Sequence, residues 1–303
     1  MNGEERYASP AAVESAIAAA ARNAFDADPS LSTHERIRIE HFNRFLSRIF
    51  SDEGESVWIL KGGTGVLARV ASARSTTDVD LTRGGASLDV ALDELRRLAA
   101  IDLGDFFRFD YTTHSTVIDG NQQAYVEGYR VTFDISIGAK KKGTLHVDLA
   151  VNVVTTDEPE MTAPVNALDL PKLRSNPYRL YPVVDQIADK VCATIALYNG
   201  RPSSRQKDLV DLVVLAVTQD IDGLKLIGAL QVEARVRSLN LPAVFELPRQ
   251  WGSIYAKLAM NVPACGRFQT ISEAARLTGS LIDAVLDGRA AGRTWDHTAL
   301  DWV

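Results

Sequence analysis

Two aspartates, Asp78 and Asp80, stand two positions apart in the segment DVDL. Because they alternate with Val79 and Leu81, we predict a strand that presents both carboxylates on one face, about 6–7 Å apart at the backbone. Carboxylates held this close repel each other unless a cation lies between them. Mg²⁺ prefers oxygen ligands and typically takes one or two carboxylates together with substrate phosphates. The pair therefore predicts a magnesium site, the alternative being a polar strand edge or a solvated turn.

A glycine-rich turn, Gly62-Gly63-Thr64, comes shortly before this pair. It follows an apolar strand predicted over 57–60 and precedes a short helix predicted over 64–71. Backbone N–H groups at such a helix N-terminus bind anions, and glycine lets a phosphate approach closely. The spacing of the glycines fits neither the P-loop pattern nor the dinucleotide-binding fingerprint. A phosphate site is thus predicted beside the magnesium site, within one strand–helix–strand unit.

A third carboxylate, Asp148, lies in a segment where apolar and other residues alternate from 144 to 154. The alternation predicts a strand with Asp148 on the face opposite the apolar side chains. A phosphoryl-transfer site uses such a group to hold a second metal ion or to accept the proton of the attacking hydroxyl. Asp134 on the preceding strand is the alternative, and we favour Asp148 because its strand alternates more cleanly.

The elements that position these residues follow from capping boxes and periodicity. Ser32 with Glu35 predicts a helix that ends near residue 50, and Thr270 with Glu273 predicts a helix over 271–286. Further helices are predicted over 87–100, 183–197, 206–218 and 223–239, and strands over 78–81, 125–137 and 144–154, the last two joined by a hairpin loop over 138–143. The change from strand-rich to helix-rich sequence predicts a domain boundary near residues 165–180.

Composition places the chain among ordinary globular proteins. Its 303 residues are 46% hydrophobic and 24% charged, which excludes a disordered chain. No apolar run approaches the roughly 20 residues of a membrane helix, and the N-terminus lacks a basic segment, so we expect a cytoplasmic protein without membrane contact. Cys192 and Cys265 lie far apart and are predicted to be buried thiols. The net charge of −6 argues against a general nucleic-acid coat protein.

Two successive segments, KGGTGVLAR and then RSTTDVDL, together resemble motif I of the DNA polymerase β-like nucleotidyltransferase superfamily. It is more narrowly similar to the AbiEii/AbiGii-type toxins of bacterial toxin–antitoxin and abortive-infection systems. The order of motifs in those proteins continues with the segment DQIADK, which ends at Lys190, and then with RQKDLVDL. The resemblance spans about residues 57–215. It is closest to the mycobacterial MenT group, which is associated with adding nucleotides to the 3′ end of tRNA.

The resemblance implies an α+β (mixed α/β) fold. A polymerase β-like nucleotidyltransferase domain with N-terminal helices and a central mixed sheet would occupy residues 1–170. A helical domain over 171–303 would complete the active site. The cofactor implied is Mg²⁺ and the substrate is an NTP. The expected partners are an RNA acceptor, foremost tRNA, whose 3′-hydroxyl receives NMP so that translation is blocked, and a cognate antitoxin protein.

The resemblance also implies roles for individual residues. Lys190 would reach the phosphates and offset charge on the leaving pyrophosphate, and Asp211 would orient Lys190 or the nucleotide. The implied catalytic residues are Asp78, Asp80, Asp148, Lys190 and Asp211, of which the first three would bind metal. The implied nucleotide-binding residues are Lys61, Gly62, Gly63, Thr64, Arg74, Lys190, Lys207 and Asp208. The alternative for Asp208 and Asp211 is a local ion-pair network with Arg205 and Lys207.

The same residues are also compatible with other acceptors and with other functions. The same site would also suit transfer to a hydroxyl of a protein or of a small molecule such as an aminoglycoside, or a non-catalytic nucleotide-binding module. An acidic protein binds tRNA only if its basic groups converge locally, since phosphate contacts are local. The candidates for such contacts are Arg36, Arg38, Lys140, Lys141, Lys142, Lys172, Arg174 and Arg179.

Overall fold

The computed structural model of the chain describes residues 6–51, 56–116, 128–173 and 175–303. Its fold is mixed α/β with a seven-stranded mixed sheet, as the sequence predicts. The chain divides into two compact units. Unit 1 comprises Met1–Ala71, Ser75–Val153 and Glu160–Leu180, and unit 2 comprises Ser72–Arg74, Val154–Pro159 and Tyr181–Val303.

The helices and strands have the following bounds. The α-helices are α1 Pro10–Ala27, α2 Thr33–Ile49, α3 Gly62–Arg69, α4 Leu88–Ala99, α5 Val183–Ile195, α6 Gln206–Ala216, α7 Gly223–Val236, α8 Gly252–Ala259 and α9 Ile271–Leu286. The longer strands are β1 Trp58–Lys61, β2 Asp78–Arg83, β3 Phe107–Ser115, β4 Gly128–Ile137 and β5 Lys140–Val151. The short strands are β6 Glu160–Thr162, β7 Tyr178–Leu180, β8 Leu197–Tyr198, β9 Arg201–Pro202, β10 Ile221–Asp222, β11 Thr294–Asp296 and β12 Asp301–Trp302.

The large sheet lies in unit 1, with the strand order β3-β4-β5-β2-β1-β7-β6. β2 pairs in parallel with β5 and β1 in parallel with β7, and the other pairs are antiparallel. Apolar side chains of the central strands, among them Val79, Val147 and Leu149, are fully buried in the core of this unit. Because side chains alternate along a strand, the residues between them share the opposite, polar face.

Both predicted capping boxes are confirmed. Glu35 N donates to Ser32 Oγ and Ser32 N to the Glu35 carboxylate at the start of α2. Thr270 and Glu273 make the same reciprocal bonds at the start of α9. These bonds satisfy backbone donors that a helix N-terminus otherwise leaves without a partner inside the helix. Both helices accordingly begin where the sequence predicts.

Two predicted boundaries are wrong. The helix after β1 begins at Gly62, so both glycines belong to α3 rather than to a preceding turn. The hairpin between β4 and β5 has a loop of Gly138 and Ala139 alone, because β5 begins at Lys140. Gly138 has φ +59°, a value that favours glycine, and a bulge near Ile135 shifts the register beyond it. The first three residues of the strand predicted over 125–137 lie outside the described residues.

Unit 2 is built around α6, whose residues from Asp208 to Ala216 are all buried. α5 packs against α6 and α7, and α6 also packs against α8 and α9. The indole N–H of Trp295 donates to Ala216 O at 2.7 Å, which anchors β11 at the end of α6. Cys192 and Cys265 are free and buried, as predicted, and burial raises the pKa of each thiol to about 12. None of the helices in the described ranges combines the length and apolar character that crossing a membrane requires.

Candidate functional site

Four charged residues form one row across the polar face of the large sheet. Arg130 on β4 pairs with Asp148 on β5, Asp148 pairs with Asp80 on β2, and Asp80 pairs with Lys61 on β1. Residues that pair in register point to the same side of a sheet. The row therefore runs cation, carboxylate, carboxylate, cation, with the two carboxylates on neighbouring strands. The sequence predicted three of these four residues as site residues, and the sheet brings those three together.

Asp78 begins the adjoining row. It pairs with His146 on β5, and His146 pairs with Thr132 on β4. The ring nitrogen Nδ1 of His146 lies 3.3 Å from Thr132 Oγ1. Asp78 thus shares the polar face with Asp80 and Asp148, as the alternation of the two strands predicts.

The glycine turn and the carboxylate pair meet at Gly62. This residue has φ +59°, and a Cβ added to it would lie only 1.9 Å from Asp80 Oδ2. The carboxylate of Asp80 therefore lies directly against the backbone of Gly62, in space that any other residue would fill. A second link holds the two ends together, because Thr64 Oγ1 donates to Asp78 O at 2.6 Å.

The N-cap residue of α3, Lys61, makes no side-chain capping hydrogen bond. Gly63 and Thr64 are buried, whereas Lys61 and Gly62 are partly exposed. The N-terminus of α3, the positive end of the helix, thus lies beside Asp80. A helix N-terminus suits an anion such as phosphate, so the predicted phosphate and metal sites would adjoin each other here.

Arg130 is a site residue that the sequence reasoning missed. Its Nη2 donates to Asp78 Oδ1 at 2.8 Å, and its Nη1 lies 3.4 Å from Asp148 Oδ1. One guanidinium therefore contacts two of the three predicted metal ligands. Arg130 alternates with Val131 and Phe133 in the sequence, and this pattern assigns it to the polar face of its strand but not to a partner.

Asp134, the alternative to Asp148, is placed elsewhere. It pairs with Thr144 near the hairpin, and its carboxylate accepts a hydrogen bond from Lys141 Nζ at 2.6 Å. Asp148 instead pairs directly with Asp80 and is only 9% exposed. The register therefore places Asp148, rather than Asp134, beside the DVD pair.

The three carboxylates fit a divalent cation by donor type. Asp78, Asp80 and Asp148 offer hard oxygen donors from adjacent positions of two neighbouring strands. Their oxygens do not all lie within 4.8 Å of one another; in the part of the chain that the structure describes, only Asp220, Asp296 and His297 in unit 2 meet that distance. The guanidinium of Arg130 lies against two of the three instead.

The later motif forms a buried ion-pair cluster in unit 2. Lys190 Nζ on α5 donates to Asp211 Oδ2 at 2.7 Å and lies 3.4 Å from Asp208 Oδ1, both on α6. Arg74 contacts both oxygens of Asp211, each at 2.9 Å. Arg205 Nε donates to the other oxygen of Asp208, Oδ2, at 2.5 Å. Of the predicted local ion-pair network, the Arg205–Asp208 pair is present, and Lys190 and Arg74 are the partners of Asp211. The role of Asp211 in orienting Lys190 for chemistry stays a prediction.

The charges in this cluster hold each other ionised. Burial alone would lower the pKa of Lys190, but the carboxylates of Asp211 and Asp208 raise it above its ordinary value. Burial alone would raise the pKa of Asp211, but Lys190 and Arg74 bring it below its ordinary value. The cluster is thus a set of mutually compensated ions, which is the condition under which buried charges persist. Lys207, in contrast, is exposed on the first turn of α6.

Most of the basic residues proposed to contact RNA are already engaged within unit 1. Arg36 donates to Leu31 O, Arg38 to Ser75 Oγ, and Arg179 to Ser56 O. Lys141 and Lys142 form ion pairs with Asp134 and Glu14. Lys172 has a partner too, and Arg174 lies outside the described residues. These contacts leave Lys140, exposed at the start of β5, as the least constrained of the candidates within the described residues.

Comparison with known proteins agrees with the resemblance read from the motifs. The family model described as "Nucleotidyl transferase AbiEii toxin, Type IV TA system" matches residues 44–274. The match begins within α2 and ends in the first turn of α9, and so includes every predicted site residue. No curated protein matches the sequence of the chain.

Two solved structures are similar to the chain. The chain is similar to MenT4, a nucleotidyltransferase toxin from Mycobacterium tuberculosis H37Rv, at 15% identity and a TM-score of 0.51, over 94% of this chain and 99% of that chain. It is also similar to JHP933 from Helicobacter pylori, at 16% identity and a TM-score of 0.46, over 86% and 96% of the two chains. At 15% identity the likeness to MenT4 concerns the fold alone.

Proposed function

Since this chain belongs to the AbiEii family of nucleotidyl transferase toxins of type IV toxin–antitoxin systems, we propose that it transfers NMP from an NTP to the 3′-hydroxyl of an RNA. The expected acceptor is tRNA, whose modified 3′ end would no longer accept an amino acid. The predicted family and the predicted enzyme class, a nucleotidyltransferase, are confirmed. A cognate antitoxin is the expected protein partner, because the family belongs to toxin–antitoxin systems.

One observation carries the proposal: the carboxylate of Asp80 lies against the Gly62 backbone at the start of α3. A helix N-terminus suited to phosphate and a carboxylate suited to metal therefore adjoin each other. A metal-bound triphosphate needs both within reach, since Mg²⁺ is usually held by carboxylates and phosphates together. The parallel pairing of Asp80 with Asp148 adds a third carboxylate at the same place.

The reaction proposed is an in-line displacement. The acceptor hydroxyl oxygen forms a bond to the α-phosphorus, the bond from that phosphorus to the bridging oxygen of the β-phosphate breaks, and pyrophosphate leaves. Backbone N–H groups of Gly63 and Thr64 would donate to phosphate oxygens, which orients the triphosphate. Asp148 would accept the proton of the attacking hydroxyl or complete the metal donor set.

Asp78 and Asp80 are the residues that would hold Mg²⁺. The bound ion would supply electrostatic stabilisation of the charge on the phosphates. The chain's own contribution is to fix the carboxylates on a sheet whose opposite face is fully packed. Side chains held on such rigid elements keep their geometry better than those on loops. Lys190, for which the family pattern implied a role at the phosphates, keeps that role as a prediction.

The test is incubation of the purified chain with each labelled NTP, Mg²⁺ and total RNA. We expect label in RNA of tRNA size and its loss when EDTA replaces Mg²⁺. RNA whose terminal ribose has been oxidised with periodate is the matched acceptor control, because it lacks the 3′-hydroxyl and should receive no label. Three outcomes would each contradict the proposal: label on the periodate-oxidised RNA, label on protein instead of RNA, or no transfer by the folded chain.

A further inference from the structure

Arg130 spans two carboxylates that come from different strands. Its Nη2 donates to Asp78 on β2 at 2.8 Å, and its Nη1 lies 3.4 Å from Asp148, its register partner on β5. A planar guanidinium with its fork of donors is the side chain best suited to such a double contact. The contact joins β4 to the carboxylates that the family motif predicts as metal ligands.

These ion pairs are only partly open to water. The exposed fractions of the side chains are 23% for Arg130, 24% for Asp78 and 10% for Asp148. Charges shielded to this degree are screened by salt less than fully exposed ones. Asp148 also has Asp80 as its neighbour on the other side, so three carboxylates lie on two adjacent strands, with Lys61 paired in register with Asp80 and Arg130 against Asp78 and Asp148. Such a group repels itself unless a cation is present.

We propose that Arg130 is the resident counter-cation of this face and that it competes with the divalent ion for Asp78 and Asp148. In the metal-free chain the guanidinium compensates the two carboxylates. When the ion binds, the guanidinium leaves them and becomes available to a phosphate oxygen of the nucleotide, with which arginine pairs as readily as with a carboxylate. The inference rests on the proposed function, in that it takes Asp78 and Asp148 as metal ligands.

The competition has a thermodynamic consequence. A divalent ion alone must displace Arg130 without any new partner for the guanidinium, so it binds weakly. A nucleotide supplies that partner, so ion and nucleotide each raise the affinity of the chain for the other, by the same factor. Substitution of Arg130 removes the competitor and should therefore strengthen binding of the ion alone while it reduces this coupling.

The test measures binding of Mn²⁺, as a probe for the divalent ion, to the full chain by calorimetric titration without nucleotide. We expect Arg130→Gln to bind Mn²⁺ about three- to fivefold more tightly than the wild type, because a partly exposed ion pair changes an equilibrium constant by up to roughly fivefold. Lys141→Gln is the matched control: it removes one positive charge from the neighbouring strand, where Lys141 pairs with Asp134. Its affinity should stay within about twofold of the wild type, since a distant exposed charge is screened.

A second measurement, the shift in Tm, keeps the inference testable if Arg130→Gln folds poorly. Saturating Mn²⁺ should raise the Tm of Arg130→Gln more than that of the wild type, because the ion compensates carboxylates that have lost the guanidinium. Arg130→Lys, which keeps the charge but cannot span both carboxylates, should shift both readouts in the same direction by a smaller amount. Equal or weaker Mn²⁺ binding by both variants, or no binding by any form of the chain, would overturn the inference.

The titration needs neither nucleotide nor RNA, so the two proposals fail separately. If Arg130→Gln gains Mn²⁺ affinity while the wild type transfers no nucleotide, the proposed function fails and the competition stands. If the wild type labels RNA while the variants show no gain, the competition alone is refuted.

Discussion

Lys190 donates a hydrogen bond to Asp211 at 2.7 Å, and the Asp211 side chain has no exposed surface. Removal of one partner from such a pair leaves the other charge buried without compensation, which typically costs about 3–5 kcal/mol. We therefore expect Asp211→Ala to lower the free energy of unfolding by about 3–5 kcal/mol, because it removes the buried carboxylate that Lys190 and Arg74 share. Urea unfolding followed by circular dichroism measures this change.

The control for this prediction lies on the same helix. Lys207 is exposed on α6, so Lys207→Ala should change the free energy of unfolding by less than about 0.5 kcal/mol. A cost below about 1 kcal/mol for Asp211→Ala would show that the cluster contributes little to stability. The comparison matters for any activity assay, because loss of activity in an Asp211 variant has a folding explanation that an Asp80 variant does not share.

Asp80 offers the cleaner test of chemistry, since it is only partly buried and lies on the polar face of β2. Asp80→Asn keeps the shape of the side chain and removes its charge. We expect kcat/KM for nucleotide transfer to fall by about 10²- to 10³-fold, the range seen when one electrostatic contact of a reaction centre is lost. Asp134→Asn is the matched control, as Asp134 shares the same face near the hairpin but pairs with Lys141. Similar activity of the two variants would argue against a role for Asp80.

The polar face of β2 was predictable from sequence alone. Asp78 and Asp80 alternate with Val79 and Leu81, and a strand allows only one arrangement of such a pattern: apolar residues inside, carboxylates outside. The start of α2 was predictable for a similar reason, because Ser32 and Glu35 satisfy each other's backbone donors locally. Features fixed by neighbours within a few residues follow from the sequence.

The partner of Asp148 was not predictable in this way. A hairpin loop over 138–143 would pair Ile137 with Thr144, and hence Asp148 with Phe133. In the structure the loop has two residues and a bulge near Ile135 shifts the ladder, so that Asp148 pairs with Arg130. Turn geometry and bulges set register, and one extra residue changes which side chains meet. Arg130 was missed for this reason.

His41 gives the stability of the chain a dependence on pH. Burial lowers its pKa to about 4, and its ring packs edge-on against Phe107 at 5.5 Å between centroids. Between about pH 6.5 and 4 the unfolded chain therefore binds a proton at this position that the folded chain does not, so stability falls as pH falls through that window. From pH 7 to pH 5 the loss from His41 should be about 2 kcal/mol.

Urea unfolding at the two pH values checks this prediction. His41→Phe keeps a ring against Phe107 and removes the titrating group, so the loss between pH 7 and pH 5 should shrink by about 2 kcal/mol relative to the wild type. An unchanged pH dependence in the variant would mean that other groups account for it.

Gly62 tests whether the turn positions the carboxylate. An alanine there would place its Cβ 1.9 Å from Asp80 Oδ2, so the carboxylate must move away from the start of α3. We expect Gly62→Ala to reduce nucleotide transfer by at least about tenfold, because a displacement of roughly 1 Å in a reacting group costs up to 10²-fold. Gly85→Ala is the matched control: Gly85 also has a positive φ, +68°, but no atom lies within 4 Å of its added Cβ. Gly85→Ala carries the same backbone cost, roughly 1–2 kcal/mol, but displaces no carboxylate. Equal losses of nucleotide transfer in the two variants would therefore assign the effect to backbone strain rather than to Asp80.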